Sequence, residues 1–237
     1  MKNIALNYLC KNRLKHVGMI ECVKYDDVDF LYCADDGVFF FDKTAKIHMI
    51  ATSSKEIAAK ALERCCATSL MVCHNEYEYE IAREKYSLYG LNKCFQVVWP
   101  EDKRPKLKGV CDIKKLEPSD ESIDFVYNNY TLKFTREHVE YILKTQGLYG
   151  AYSNGKLVGF IGRHEERSLG LLEILPEFRR RGFASELEIY MINKLLDNGE
   201  VPYGHIIYDN EKSVIMHKKF GYVFSETPVF WIFKAKN

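Results

Sequence analysis

The stretch "LEILPEFRRRGFASELEIY", residues 172 to 190, joins an apolar run to an amphipathic one through three consecutive arginines, Arg179, Arg180 and Arg181. Beyond them, Phe183, Leu187, Tyr190, Met191 and Leu195 lie on one stripe of an α-helix predicted to end near Gly199. The arginines therefore stand at a helix start, where unpaired N–H groups and the helix dipole already supply positive charge. Further cations there raise the free energy unless an anion is present. Gly182 allows close backbone approach and Ala184 keeps the first turn small, so the stretch reads as a phosphate cradle with guanidinium groups around it. A solvated basic turn is the plainer alternative, because charge runs are common on surfaces.

The elements around the turn follow a readable order. "GLYGAYSNGKLVGFIG" (147 to 162) is a hairpin about Ser153-Asn154-Gly155, and "SLGLLEIL" (168 to 175) is a third strand. After the helix come a strand (203 to 208), a short helix (210 to 220) and a last strand (228 to 234), while 119 to 130 and 135 to 146 read as helices before the hairpin. The first half has a similar order: a hairpin about Asp35-Asp36-Gly37, a strand "KIHMIAT", a helix "SSKEIAAKALERC", a strand "SLMVCH" and a helix "NEYEYEIAREKY". A degenerate duplication would explain this, and so would chance, because the order hairpin, strand, helix, strand, helix recurs in α/β proteins. Laying Asn75-Glu76 on Asn210-Glu211 sets Ala82 against His217, and "ATSSKE" stands where the second half has its arginines. The stretch "WPEDKRPKLKG" (99 to 109), with two prolines and no apolar period, reads as the linker between them.

Composition narrows the function classes. In 237 residues, 34 Lys and Arg balance 33 Asp and Glu, so no net basic field exists to hold nucleic acid or an anionic membrane. The start "MKNIALNYLCKNRLKH" breaks its apolar positions too soon for a signal-peptide core, and no later run approaches a membrane span, so a cytoplasmic location is expected. All eight cysteines fall in the first 111 residues without a CxxC pair. Buried free thiols are predicted, and no metal site.

The pattern Arg179-x-x-Gly182-x-Ala184, after "LEILPE" and before an amphipathic helix, resembles motif A of the GNAT superfamily of N-acetyltransferases. Asn210-x-x-Ser213-x-x-Met216-His217-x-x-x-Gly221-Tyr222 is similar to the second signature of that superfamily. "LPEFRRRG", "PYGHIIYDNEKSVIMHKKFGY" and Trp231 look more narrowly like its glycine N-acyltransferase-like branch, which carries a half-domain of similar fold ahead of the catalytic one. The resemblance implies an α+β fold of two tandem GNAT-like α/β halves, 1–110 degenerate and 111–237 a complete acyl-CoA N-acyltransferase fold with a mixed, mostly antiparallel central sheet.

The resemblance also implies a cofactor and roles. Acetyl-CoA or another acyl-CoA would lie with its pantetheine on the main chain of Ile174 and Leu175. Its pyrophosphate would lie on Arg179, Arg180, Arg181, Gly182, Phe183 and Ala184, with Asn210 and Ser213 as further contacts. His217 stands where the family usually has a tyrosine acid, and an imidazole near its ordinary pKa of about 6.5 can donate at neutral pH. Ser168 stands where many members carry a glutamate base, so the base is sought among His164, Glu165, Glu166 and Glu173. Glu173 interrupts "LGLLEIL" and would be costly to bury alone. A backbone N–H of residues 174 to 175 is expected to meet the oxyanion. The implied activity is acyl transfer to a primary amine, expected to belong to a small molecule such as an amino acid; an acyl-CoA sensor without turnover and a protein N-acetyltransferase are the alternatives. Monomer and homodimer are both open.

Overall fold

Met49 and Ile50 are adjacent in one strand and lie in different hydrophobic cores, as do Phe39 and Phe40, and Met71 and Val72. Side chains alternate across a strand, so these pairs mark a sheet covered on both faces. The computed structural model describes residues 1–131 and 134–235. The chain forms two compact units, Met1–Pro100 with Tyr203–Asn237, and Glu101–Pro202. Compactness thus divides the chain differently from the halves 1–110 and 111–237.

The first unit opens with two helices, α1 (Lys2–Leu9) and α2 (Arg13–Lys24), which the sequence pattern does not announce. The expected elements follow: β1 (Val28–Ala34), β2 (Gly37–Asp42), β3 (Ile47–Thr52), α3 (Lys55–Leu62), β4 (Leu70–Cys73) and α4 (Glu76–Tyr86), then an unforeseen β5 (Gly90–Val98). The second unit holds β6 (Asp112–Lys115), α5 (Asp120–Asn129), α6 (Arg136–Thr145), β7 (Tyr149–Ser153), β8 (Lys156–Arg163), β9 (Leu169–Ile174) and α7 (Phe183–Asp197). The chain then returns to the first unit with β10 (Tyr203–Ile207), α8 (Glu211–Phe220), β11 (Val223–Phe224) and β12 (Val229–Phe233).

In the first unit the strand order is β1-β2-β3-β4-β12-β5-β10, with β11 also on β5. β3 and β4 are parallel and the other described pairs are antiparallel. The α1 and α2 helices cover one face with Met19, Cys22 and Val23 against Phe40, Met49 and Val72; α3 and α4 cover the other with Leu62, Ala82 and Tyr86 against Phe39, Ile50 and Met71. All eight cysteines are free thiols. Cys22, Cys65, Cys73 and Cys94 are buried as expected, whereas Cys10 and Cys66 are exposed and Cys33 and Cys111 half-buried.

The second unit has an antiparallel order, β9-β8-β7-β6. Phe160 of β8 packs with Val126, Val139 and Ile142 of α5 and α6, while its neighbour Ile161 packs with Leu187 and Met191 of α7. The segment read as a linker is tied along α7. Arg104 pairs with Asp197 at 2.6 Å, Asn193 donates to the Pro105 carbonyl at 2.9 Å, and the N–H groups of Lys108 and Gly109 reach the buried Glu186 carboxylate at 3.0 and 2.5 Å.

Candidate functional site

Pro176–Phe178 wind as a single 3-10 turn, and Arg179 leaves it extended at φ −64° and ψ 160°. Arg180 (φ 65°) and Gly182 (φ 90°) then take left-handed backbone and deliver the chain to the start of α7. A Cβ on Gly182 would meet nothing nearer than the Val110 methyls at 3.8 Å. The sign of φ, rather than room for a ligand, is what demands glycine here. As the helix cap, Gly182 offers no side chain. The first helical bond runs from Glu186 N–H to the Gly182 carbonyl at 3.0 Å, so the N–H groups of Phe183, Ala184 and Ser185 have no acceptor within the helix. The corresponding helix of the first unit differs. Ser54 caps α3 by accepting from Ile57 N–H at 3.3 Å, so one N–H of that helix start is already taken by a side chain.

The three arginines are not alike. Arg179 folds back along β9, donating from Nε to the Ile174 carbonyl at 2.9 Å and from Nη2 to Glu173 Oε1 at 3.1 Å. Arg181 lies over the Phe178 ring at 5.3 Å and donates to the Glu177 carbonyl at 3.0 Å. Arg180 is exposed at the bend. Leu175 is largely committed, since its N–H donates to the Val158 carbonyl at 2.9 Å and its own carbonyl accepts from Phe178 N–H at 2.9 Å. That removes the Leu175 amide expected for pantetheine and for the oxyanion.

A bulge in β9 decides where Glu173 goes. Phe160 pairs with Glu173 and Gly162 with Gly170, so Leu171 and Leu172 together oppose Ile161. Leu171 supplies the extra residue with φ 52°, an uncommon conformation for a side chain of its size. Adding one residue shifts the face of everything after it. Leu169, Leu172 and Ile174 pack with α7, while Leu171 packs with α5 and α6. Glu173, two residues beyond Leu171, falls on that same α5/α6 face, where Thr131 Oγ1 donates to its Oε2 at 2.6 Å. The bulge also turns the Leu171 N–H toward the Tyr130 oxygen.

Glu166 joins this group. His164 N–H bonds the Ser168 carbonyl at 2.9 Å and Arg167 takes φ 75°, closing a tight turn. The buried Ser168 hydroxyl donates to Glu166 Oε1 at 2.5 Å, and Glu166 is itself buried. Burial first, then the charges of Glu173 and Glu166, push the Tyr130 hydroxyl up to about 12. Two of the expected carboxylates therefore act on one phenol. The His164 ring packs over Gly170, where an added Cβ would come within 2.2 Å of Nε2. Thr131 and the bulge went unread in the sequence. Nothing in a Leu-Leu pair announces a left-handed leucine, and Thr131 is drawn in only by that change of face.

Asn210, Ser213 and His217 belong to the other compact unit, on α8. The Asn210 side chain caps α8 by accepting from Ser213 N–H at 3.2 Å. Asn75 stands likewise at the cap of α4, the alignment expected of a duplication, with buried Ala82 where α8 has half-buried His217. His217 Nδ1 lies 2.8 Å from the Ser213 carbonyl, which can only accept, so Nδ1 carries a proton. As an acid His217 must be an imidazolium. Its ring meets Tyr222 edge-on at 5.0 Å. Among the described residues no group of His, Cys, Asp or Glu could hold a metal ion, and no helix is long and apolar enough to cross a membrane.

Residues 146–231 match a family model described as FR47-like protein. No curated protein matches the sequence. Several solved structures do. A Drosophila protein is similar over 98% of this chain and 94% of its own at 16% identity and a TM-score of 0.71. A GCN5-related N-acetyltransferase from Kribbella flavida is similar over 94% and 96% at 11% identity and a TM-score of 0.58. A tandem GNAT protein from the clavulanic acid biosynthesis pathway is similar over 100% and 95% at 10% identity and a TM-score of 0.51. Identities this low carry the fold and nothing finer, and that fold is the mixed α+β fold of the GNAT acetyltransferases.

Proposed function

We propose that this chain is an acyl-CoA-dependent N-acyltransferase, transferring an acetyl group to the primary amine of a small molecule. The observation that carries the reading is the uncapped start of α7, a left-handed glycine followed by free N–H groups with Arg180 exposed beside them. A helix start of this kind suits a pyrophosphate. Arg180, Arg181, Gly182, Phe183 and Ala184 would hold it, Ile174 would offer main chain to the pantetheine arm, and Asn210 and Ser213 would add polar contacts. When bound, the cofactor supplies an activated acyl thioester.

The remaining roles belong to the chain's own residues. Glu166 and Glu173, with the Tyr130 hydroxyl beside them, would orient an ammonium and take its proton, which leaves the amine nucleophilic. The Leu171 amide, turned toward the Tyr130 oxygen, would polarise an acyl oxygen through that hydroxyl in place of the expected 174–175 segment. His217 as imidazolium would hold a proton at Nε2. The halves 1–110 and 111–237 remain the proposed products of duplication, the cytoplasm the proposed location, and the glycine N-acyltransferase-like branch the proposed nearer kinship.

Calorimetric titration with CoA and acetyl-CoA, followed by thiol release against amino acids and polyamines, tests the reading. Binding with release of thiol for one amine is expected. Binding without release for any amine would make the protein a sensor, and no binding would return the arginines to the surface. Arg180→Glu is expected to weaken CoA binding about tenfold or more, the scale of one charge-assisted hydrogen bond. His217→Ala is expected to slow turnover with little change in CoA affinity.

A further inference from the structure

We infer that Arg179 is shared between two anions, the Glu173 carboxylate in the free protein and the cofactor pyrophosphate in the bound one, so that cofactor binding unlocks Glu173. This rests on the reading of the arginine turn as a pyrophosphate site. The backbone of Arg179 belongs to that turn, yet its guanidinium is folded away from it, with Nε on the Ile174 carbonyl and Nη2 on Glu173. The Arg179 side chain is 54% exposed and that of Glu173 only 13%. The arginine is the solvent-facing partner of the pair, whereas the carboxylate is largely covered and also held by Thr131.

The consequence falls on Glu173. Oε1 accepts from Arg179 and Oε2 from Thr131, so each oxygen already has a donor. Release of Arg179 frees Oε1, on the side chain that faces Tyr130 and Thr131, and leaves Thr131 to keep the carboxylate in position. No covalent bond changes; one guanidinium–oxyanion pair replaces another. A partly exposed ion pair is weak, while a pyrophosphate at an uncapped helix start offers more charge and a shared set of donors, so the exchange runs toward the cofactor. Linkage makes the effect reciprocal: whatever loosens Arg179 from Glu173 must tighten the cofactor.

The test is calorimetric titration of CoA, with inorganic pyrophosphate as a probe of the turn alone, into the wild type, Glu173→Gln, Arg179→Gln and the double variant. Glu173→Gln is expected to bind CoA about fivefold tighter, which is about 1 kcal/mol. That gain is expected to vanish in the Arg179→Gln background. Glu173→Asp, one methylene short of the arginine, should change affinity in the same direction and serves if the glutamine variant does not fold. A wild type that binds CoA together with unchanged affinity in Glu173→Gln, or an equal gain in both backgrounds, would overturn the exchange and leave the turn reading intact. A wild type that binds neither CoA nor pyrophosphate would remove both.

Discussion

Gly182 is the residue on which the turn depends, and its role can be separated from any ligand. With φ at 90° and no atom nearer than 3.8 Å to the position a Cβ would take, alanine there meets a backbone penalty and no clash. Gly182→Ala is expected to cost about 1–2 kcal/mol, the penalty for one L-residue in left-handed backbone, read as a lower thermal midpoint without ligand. An unchanged midpoint would show that the turn relaxes freely. The residue type was legible in the sequence, but the reason given there, room for a phosphate, was not the physical one. Glu173 shows the opposite case. A charged residue inside "LGLLEIL" was correctly suspect, yet its partners Arg179 and Thr131 are six and 42 positions away and could not be read from local pattern. Single residues announce that something is needed; their partners are a property of the folded backbone.

At the scale of elements, periodicity carried the reading where an element has one buried face. The α7 stripe, the two hairpins and the strands β3, β4, β9 and β12 all fell close to their expected positions. Two classes escaped. The α1 and α2 helices carry Lys, Arg and Asn among their apolar residues, and β5 presents exposed Leu91, Asn92 and Lys93 before its buried end, so neither shows a clean period. The segment 99 to 109 escaped for another reason. It has no apolar period because main-chain N–H groups and polar side chains attach it to α7, rather than an apolar face. Glu186 is the chief attachment, buried in the first turns of α7 and accepting from Lys108 and Gly109. Glu186→Ala is expected to destabilise by about 1–2 kcal/mol, since the released N–H groups lie on exposed residues and water can take them. Hydrogen exchange is the decisive measurement: the amides of residues 108 and 109 should lose protection while those of β7 and β8 keep theirs. Continued protection at 108 and 109 would mean that other ties hold the strap.

At the scale of the molecule, stability should respond to pH through the buried histidines of the first unit. Burial lowers His16 from 6.5 to about 4 and drives His74 well below 6.5. A depressed histidine leaves the folded state with fewer protons than the unfolded one, so stability is full above pH 6.5 and is lost as pH falls through that window. Glu78 opposes this. Burial raises it from 4.5 to about 7 despite donors from Thr52, His74 and Asn75, so its contribution weakens as pH rises over that range. The thermal midpoint is expected to fall from pH 6.5 to 4, and less steeply in His16→Asn; parallel slopes would exclude His16. The larger prediction concerns the halves themselves. The similar order of elements in the two halves suggested that 111–237 holds a complete fold, but β10, β11 and β12 pair with β4 and β5, all supplied by the first hundred residues. Removing residues 1–110 strips the partner strands from Tyr203, Val229 and Ile232, each buried, at about 1.5–3 kcal/mol for every large apolar side chain exposed. Losses of that size over several residues match the whole stability of an ordinary domain. The fragment 111–237 is therefore expected to lack a cooperative thermal transition and to bind a hydrophobic dye, whereas a sharp transition would show that its last strands find partners of their own.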